Sequence, residues 1–417
     1  MRGAPGSLLF VAVLARAEPP LAPPGPTLLL HSGAEMPQIG FGTWGVHKRD
    51  VDTSLRAAIA AGYRLFDLAP VYNNEKEIGQ TLGALQAEGV VVRKDLFLTS
   101  KVPPADACDP GLVRAKLDQT LRDLRTEYLD LYLVHWPFCV RPGAPSWPPP
   151  LEYQRGYSPA QLRDTWRSME LLVQEGKARA IGLANIGPNR LAALLRTSDL
   201  VVAPSVVQVE LHPYNTLASL RALCADRRIA VTAYASLGSA ARPAKYHAAL
   251  DAHPVLLSDP AVLTVASALR ASASAVALGW ALRRGIAVIP KSIHPERVHS
   301  NLRETLRTAP RLSESQLSNL DALDRRHRFL AAGFLGYAWR EGMKMEELWD
   351  DGPAQPATPS APATVAWRGA WLVIVVAVTA LCIARACAQR QSDRVARRLS
   401  FGAALDRFPP RRPSLVA

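Results

Sequence analysis

Between about Leu28 and Trp349, short β-rich runs alternate with amphipathic stretches. The runs predict strands over Gln38–Trp44, Arg64–Leu68, Leu96–Val102, Leu129–His135, Ala180–Asn185, Ser205–Leu211, Ala230–Ala235 and Ile286–Ser292. Between them, Val51–Ala61, Leu112–Leu124, Pro159–Glu175 and Asn189–Arg196 carry helical spacing of their apolar residues. Eight strands with mostly helical connections over about 260 residues match the count of a (β/α)8 barrel, an α/β fold. Leu28–Met36, with Gly33 at its centre, predicts a hairpin that closes the barrel bottom.

The pattern breaks down at both ends. Residues 1–26 read as a signal-like segment and a Pro-rich spacer: Arg2, an apolar Ser7–Leu14, the small-x-small Ala15-Arg16-Ala17, then prolines. Residues 27–352 form the barrel, and 353–368 a Pro/Ala-rich linker. Residues 369–384 follow as a transmembrane helix: 16 uncharged residues between Arg368 and Arg385. At 1.5 Å each they span roughly 24 Å, against about 30 Å of hydrocarbon. Snorkelling arginines make up the difference, and Trp367 and Trp371 suit one interface. Residues 385–417 are a basic tail, favouring the cytoplasmic side, and Cys382 and Cys387 are acylation candidates. Two topologies follow for this single-pass chain. A cleaved signal puts the barrel in a lumen or outside the cell; an anchoring tail alone leaves it cytosolic.

Composition narrows the function classes. Of 417 residues, 48% are hydrophobic and 20% charged, which excludes a disordered chain. The net charge is +13, but nine Arg against two Asp fall within residues 353–417. The rest is only mildly basic, which argues against nucleic acid and suits an anionic small molecule. Five cysteines, without a CxxC pair or a Cys/His cluster, exclude a disulfide scaffold and a structural zinc site. No feature fixes an oligomeric state.

Polar residues sit where a barrel needs them. Asp67, Lys101, His135, Asn185, Gln208, Tyr234 and Lys291 each lie at or just beyond the C-terminal end of a different predicted strand. In a barrel those ends converge on the face that carries active sites. A competing signal is Gly40-Phe41-Gly42-Thr43-Trp44-Gly45, a G-x-G-x-x-G followed by Asp67. Its glycines overlap the first strand, and Phe and Trp stand where backbone must meet pyrophosphate, so a Rossmann reading is disfavoured.

Asp67, Tyr72, Lys101 and His135 form a chemical set. A phenol is a weak acid, and a Lys ammonium beside Tyr72 is expected to lower its pKa. Asp67 supplies the counter-ion for Lys101, and a neutral His135 orients a carbonyl oxygen. Each residue alone has an ordinary structural role. Together they suit proton delivery to a developing alkoxide.

At these residues the chain resembles the aldo-keto reductase family. Gly62-Tyr63-Arg64-Leu65-Phe66-Asp67-Leu68-Ala69-Pro70-Val71-Tyr72-Asn73-Asn74-Glu75 is similar to one family signature; Thr99-Ser100-Lys101 and Leu133-Val134-His135-Trp136-Pro137 are similar to the next two. The resemblance implies Asp67, Tyr72, Lys101 and His135 as catalytic residues, with Tyr72 the proton donor. It also implies a substrate pocket walled by Trp44 and Trp136 beside Tyr72 and His135. On the cofactor side it implies NADPH. Asn185 and Gln208 would hold the carboxamide and Tyr234 would stack on the nicotinamide ring. Leu237, Gly238 and Ser239 would cover the pyrophosphate. Lys291, Ser292, Arg297 and Asn301 would hold the adenosine end, the two cations gripping a 2′-phosphate.

The chain departs from the family pattern at Ala184, where Ser is usual, at Ala235-Ser236, where Ser-Pro is common, and at Ser300, where Glu or Gln is usual. Losing the Ser hydroxyl removes one hydrogen bond, about 0.5–1.5 kcal/mol of cofactor binding. The expectation is therefore NADPH-dependent reduction of an aldehyde or ketone, on a small-molecule carbonyl substrate. The alternative is a non-catalytic NADPH-sensing accessory subunit of a membrane protein. The loop Arg141–Pro150 with Trp147, and Phe329–Trp349, are expected to shape specificity.

Overall fold

The computed structural model describes residues 25–144, 150–239, 255–330 and 349–350. A hairpin of β1 (Thr27–Leu29) and β2 (Glu35–Pro37) leads into β3 (Gly40–Gly42), followed by α1 (Val51–Ala61). Next come β4 (Leu65–Asp67), α2 (Glu75–Ala87), β5 (Phe97–Val102), α3 (Pro110–Leu124) and β6 (Leu131–Val134). A second hairpin, β7 (Cys139–Val140) with β8 (Gln154–Gly156), precedes α4 (Pro159–Gln174). Then follow β9 (Ile181–Ala184), α5 (Pro188–Leu195), β10 (Val206–Glu210), α6 (Ala218–Asp226) and β11 (Ala230–Tyr234). Two helices, α7 (Pro260–Leu269) and α8 (Ala273–Arg283), precede β12 (Ile286–Val288); α9 (Pro295–Thr308) and α10 (Glu314–Asp321) come after it.

Eight strands pair in parallel in the order β3-β4-β5-β6-β9-β10-β11-β12. The ring closes where Ile39 bridges Val288 and the Val288 N–H donates to the Gln38 carbonyl at 2.9 Å. This is the (β/α)8 barrel that the sequence predicts. Several of its helices begin where side-chain chemistry starts them. Asp109, Ser158, Asp259 and Ser272 accept backbone N–H groups at the starts of α3, α4, α7 and α8. Five helices open on a proline, which has no N–H to leave unpaired there. In α1, Val51, Leu55, Ala58 and Ile59 bury one face at helical spacing.

The core has two layers. The larger lies between sheet and helices. The smaller joins Leu30 and Met36 of the hairpin region to Leu65, Phe97, Leu131 and Val206, the first residues of four strands. The hairpin therefore plugs the N-terminal end of the barrel, as expected, and leaves the opposite end for chemistry.

Two expectations change. The strands are shorter than predicted, because residues at their predicted C-terminal ends turn out of the ladder. Asn185 and Ala235 take left-handed backbone (φ 57° and 53°), and His135 and Lys291 lie beyond β6 and β12. A cysteine pair also exists: Cys108 and Cys139 are bridged. Spacing rules look for clustered cysteines and miss two that the barrel brings together from neighbouring loops. Among the described residues no single helix is long and apolar enough to cross a membrane. The segment 1–24, Trp147, the linker, the span at 369–384 and the basic tail lie outside the described residues.

Candidate active site

The C-terminal ends of β4 and β5 place Asp67 and Lys101 side by side, both buried. The Lys101 Nζ donates to Asp67 Oδ2 at 2.8 Å, to the Leu68 carbonyl at 2.9 Å and to Tyr72 Oη at 3.3 Å. An ammonium has three N–H donors, and these contacts use all three. Tyr72 is carried by a short 3-10 turn, Pro70–Tyr72, directly after β4. It therefore accepts from Lys101 and keeps its own O–H to give elsewhere. His135 follows β6, with its ring edge-on to Tyr72 at 6.1 Å between centroids. The structure thus brings Asp67, Tyr72, Lys101 and His135 together.

The charge states follow from burial. Burial drives the Tyr72 phenol well above its ordinary pKa, and the carboxylates of Asp67 and Glu75 push the same way. This corrects the sequence expectation of a phenol acidified by Lys101: desolvation and two nearby carboxylates outweigh one ammonium. Burial also lowers the Lys101 pKa, against the upward pull of Asp67. Burial, with help from Lys101, drives His135 well below the ordinary imidazole value, so it is neutral near pH 7. Its Nδ1 is buried with no hydrogen-bond partner among the described residues.

Asp67 does more than balance Lys101. Its second oxygen accepts from Gln208 Nε2 at 2.7 Å. Gln208 and Asn185 reach the site from β10 and the end of β9, but their amides hold neighbours. Asn185 Nδ2 donates to the His135 carbonyl at 2.9 Å, and Tyr234 Oη donates to Asn185 Oδ1 at 2.6 Å. Ala184 ends β9 in register with Gln208 and brings no hydroxyl. Ser236, in place of proline, turns its hydroxyl back to the Ala233 carbonyl at 3.0 Å. Leu237, Gly238 and Ser239 continue this loop.

Beyond β12, Lys291 is half-buried and Arg297 exposed at the start of α9; Ser292 and Asn301 are buried nearby in the chain. Burial lowers the Lys291 pKa, with Asp50 pulling upward. Neither cation forms an ion pair with any described residue. A half-buried ammonium with no ion pair among the described residues fits an anionic group such as a phosphate.

The rim is aromatic. Trp136 stacks on His135 at 6.5 Å and on Phe138 at 5.2 Å, and meets Trp349 at 5.4 Å. Trp44 is half-buried after β3. Its loop is pinned by Asn74 Nδ2, which donates to the Thr43 and Val46 carbonyls at 3.0 Å each.

Several residues that hold the mouth lay beyond sequence reasoning. Glu210, at the end of β10, accepts the backbone N–H of Phe329 and, at 2.9 Å, that of Leu330. Asp350 accepts the Arg190 N–H at 2.6 Å and Asn189 Nδ2 at 3.1 Å, at the start of α5. Gly187 makes room for this return: a Cβ there would lie 2.3 Å from the Trp349 carbonyl oxygen. The one sequence signal for Glu210 was a carboxylate ending an apolar strand. Asp350 offered none, since its partner lies 160 residues away.

Residues 38–325 match the model of the Aldo/keto reductase family. An aldo/keto reductase of Synechocystis is 37% identical over 325 residues, covering 77% of this chain and 95% of that protein. Mouse aldo-keto reductase family 1 member A1 is 37% identical over 305 residues, covering 73% and 91%. The human protein of the same name is 36% identical over 304 residues, covering 73% and 90%. With a barrel of matching extent and this degree of identity, the chain belongs to the aldo/keto reductase family.

Proposed function

We propose that the protein reduces an aldehyde or ketone to the alcohol with NADPH, and that Asp67, Tyr72, Lys101 and His135 carry the reaction. The observation behind this is the three-way donation of Lys101, which leaves the Tyr72 hydroxyl as the free acid of the cluster. When bound, NADPH would supply the hydride that the carbonyl carbon takes up. Tyr72 gives its proton to the oxygen. Its raised pKa keeps that proton in place until an alkoxide, far more basic than a phenolate, develops. The phenolate left behind faces the Lys101 ammonium, whose charge Asp67 and Gln208 hold in place. Neutral His135 orients the carbonyl oxygen, and Trp44 and Trp136 wall the substrate.

The residues present fit the cofactor. Lys291 and Arg297 would hold the 2′-phosphate, with Ser292 and Asn301 at the adenosine end. Leu237, Gly238 and Ser239 would meet the pyrophosphate, and Tyr234, Asn185 and Gln208 the nicotinamide. The free acid at Tyr72 supports turnover over a purely cofactor-sensing subunit. We infer further that residues 369–384 tether the barrel to a membrane as a single-pass anchor. Protease protection of the barrel in sealed membranes reports its side.

The test is NADPH oxidation with a panel of aldehydes and ketones. Tyr72→Phe is expected to lower kcat by about 10²–10⁴-fold while NADPH binding, read by fluorescence, is unchanged. A Tyr72→Phe enzyme as fast as the parent overturns the assignment.

A further inference from the structure

Cys108 lies in the loop between β5 and α3, and Cys139 begins β7; their Cα atoms are 5.5 Å apart and their sulfurs are bonded. Neither belongs to the reacting cluster. The bridge joins the chain just after the Trp136-Pro137-Phe138 wall to the neighbouring loop. Around it the Val140 N–H donates to the Pro104 carbonyl at 3.0 Å and Gln161 Nε2 to the Cys108 carbonyl at 3.0 Å. Beside the bridge the wall borders a small cavity lined by Ala107, Trp136, Phe138, Cys139, Leu162 and Thr165. The wall therefore has a covalent tether at its end, with a small cavity between the tether and α4. Access is unequal: Cys108 is half-buried, while Cys139 is buried.

We propose that the Cys108–Cys139 bridge is a reversible modification site, opened by small thiols and closed by small disulfides, that fixes the Trp136–Phe138 wall of the cleft. A small thiolate attacks the more accessible Cys108 sulfur. The sulfur–sulfur bond breaks, and the electron pair leaves on Cys139, which takes a proton. A second thiolate attacks the small-thiol sulfur of the mixed disulfide and frees Cys108. One protein disulfide and two thiols thus become two protein thiols and one small disulfide, a two-electron exchange. Closure is the reverse reaction with a small disulfide. The effect on turnover rests on the reductase reading; the bridge itself does not.

The experiment equilibrates the full chain in glutathione buffers from fully reduced to fully oxidised. Alkylation and mass mapping read the thiols, and hydrogen exchange reads residues 136–140. Linked Cys108 and Cys139 peptides are expected in the oxidised chain, and both of these cysteines alkylated in the reduced one. Exchange at 136–140 is expected to rise about tenfold on reduction. The ratio of kcat/KM for a bulky aromatic aldehyde to that for a small aliphatic one is expected to shift by about threefold or more. Cys108→Ser is expected to hold the reduced values in every buffer. Cys108 and Cys139 that stay alkylatable in excess oxidised glutathione overturn the proposal, as does a bridge whose opening leaves exchange at 136–140 unchanged. A redox response that persists in Cys108→Ser overturns it too, assigning the response to another cysteine. If neither state turns over any carbonyl, the reductase reading fails, while mass mapping and exchange still decide the bridge.

Discussion

Glu75 opens α2 inside the protein, and its carboxyl is held by two hydroxyls. Ser100 Oγ donates to Oε1 at 2.6 Å and Thr120 Oγ1 to Oε2 at 3.0 Å. Burial nevertheless raises its pKa from 4.5 to about 7, since the two hydroxyls and Lys101 offset only part of the desolvation. Below about pH 4.5 the group is neutral in both folded and unfolded chains. Between pH 4.5 and 7 the unfolded chain releases the proton while the folded chain keeps it, so stability falls as pH rises. Above pH 7 the loss is complete. The separation corresponds to about 3 kcal/mol as an upper limit. Glu75→Gln stays neutral at every pH and keeps groups that both hydroxyls can bond. Denaturant unfolding of both proteins at pH 4.5, 6 and 8 measures the difference. The variant's stability relative to the parent is expected to climb with pH by up to about 3 kcal/mol. Parallel profiles, with the difference moving by less than about 1 kcal/mol, would refute the reasoning.

Lys101→Met strands Asp67 as a buried charge with Gln208 as its one remaining side-chain partner; a loss of about 3–5 kcal/mol is expected by denaturant unfolding. Adding Asp67→Asn is expected to restore most of that loss, and a double variant no better than the single contradicts the account. Gly79→Ala sets helix propensity against packing. Alanine is favoured in a helix by about 1 kcal/mol, but its Cβ would lie 2.1 Å from the Asp123 carbonyl oxygen and 2.6 Å from Leu124 Cα. Overpacking of about 1–3 kcal/mol is expected to win, so the melting temperature should fall; a rise would show that α2 and α3 separate freely.

The barrel was legible because periodicity and strand count are local signals that add up. All eight strands lie where apolar runs predict them, and α1 has the predicted bounds. What the sequence could not place are interactions set by long-range closure. Gln208 meets Asp67 across 141 positions, and Asp350 meets Arg190 across 160. Cys108 and Cys139 meet because β5 and β6 are neighbours in the sheet, which spacing does not encode. The Tyr72 pKa moves opposite to the sequence expectation for a related reason. The motif names the ammonium beside the phenol, but not the burial that removes water from it or the second carboxylate at Glu75.

The polar chain itself carries an energetic argument for chemistry. Gln208, Asp67, Lys101 and Tyr72 run from β10 through β4 and β5 to the turn after β4, linked by contacts of 2.7, 2.8 and 3.3 Å. Placing an ammonium and a carboxylate there is no gain over well-packed apolar residues, because desolvation consumes most of their attraction. The same barrel fills its lower end with Leu65, Phe97, Leu131 and Val206, so apolar filling of these strands is available to it. A folding advantage therefore does not account for the charged pair at the upper end. Under the proposed reaction, fixed charges in a dry site account for it: they would already be oriented before a phenolate forms, and no water would have to reorganise to receive it.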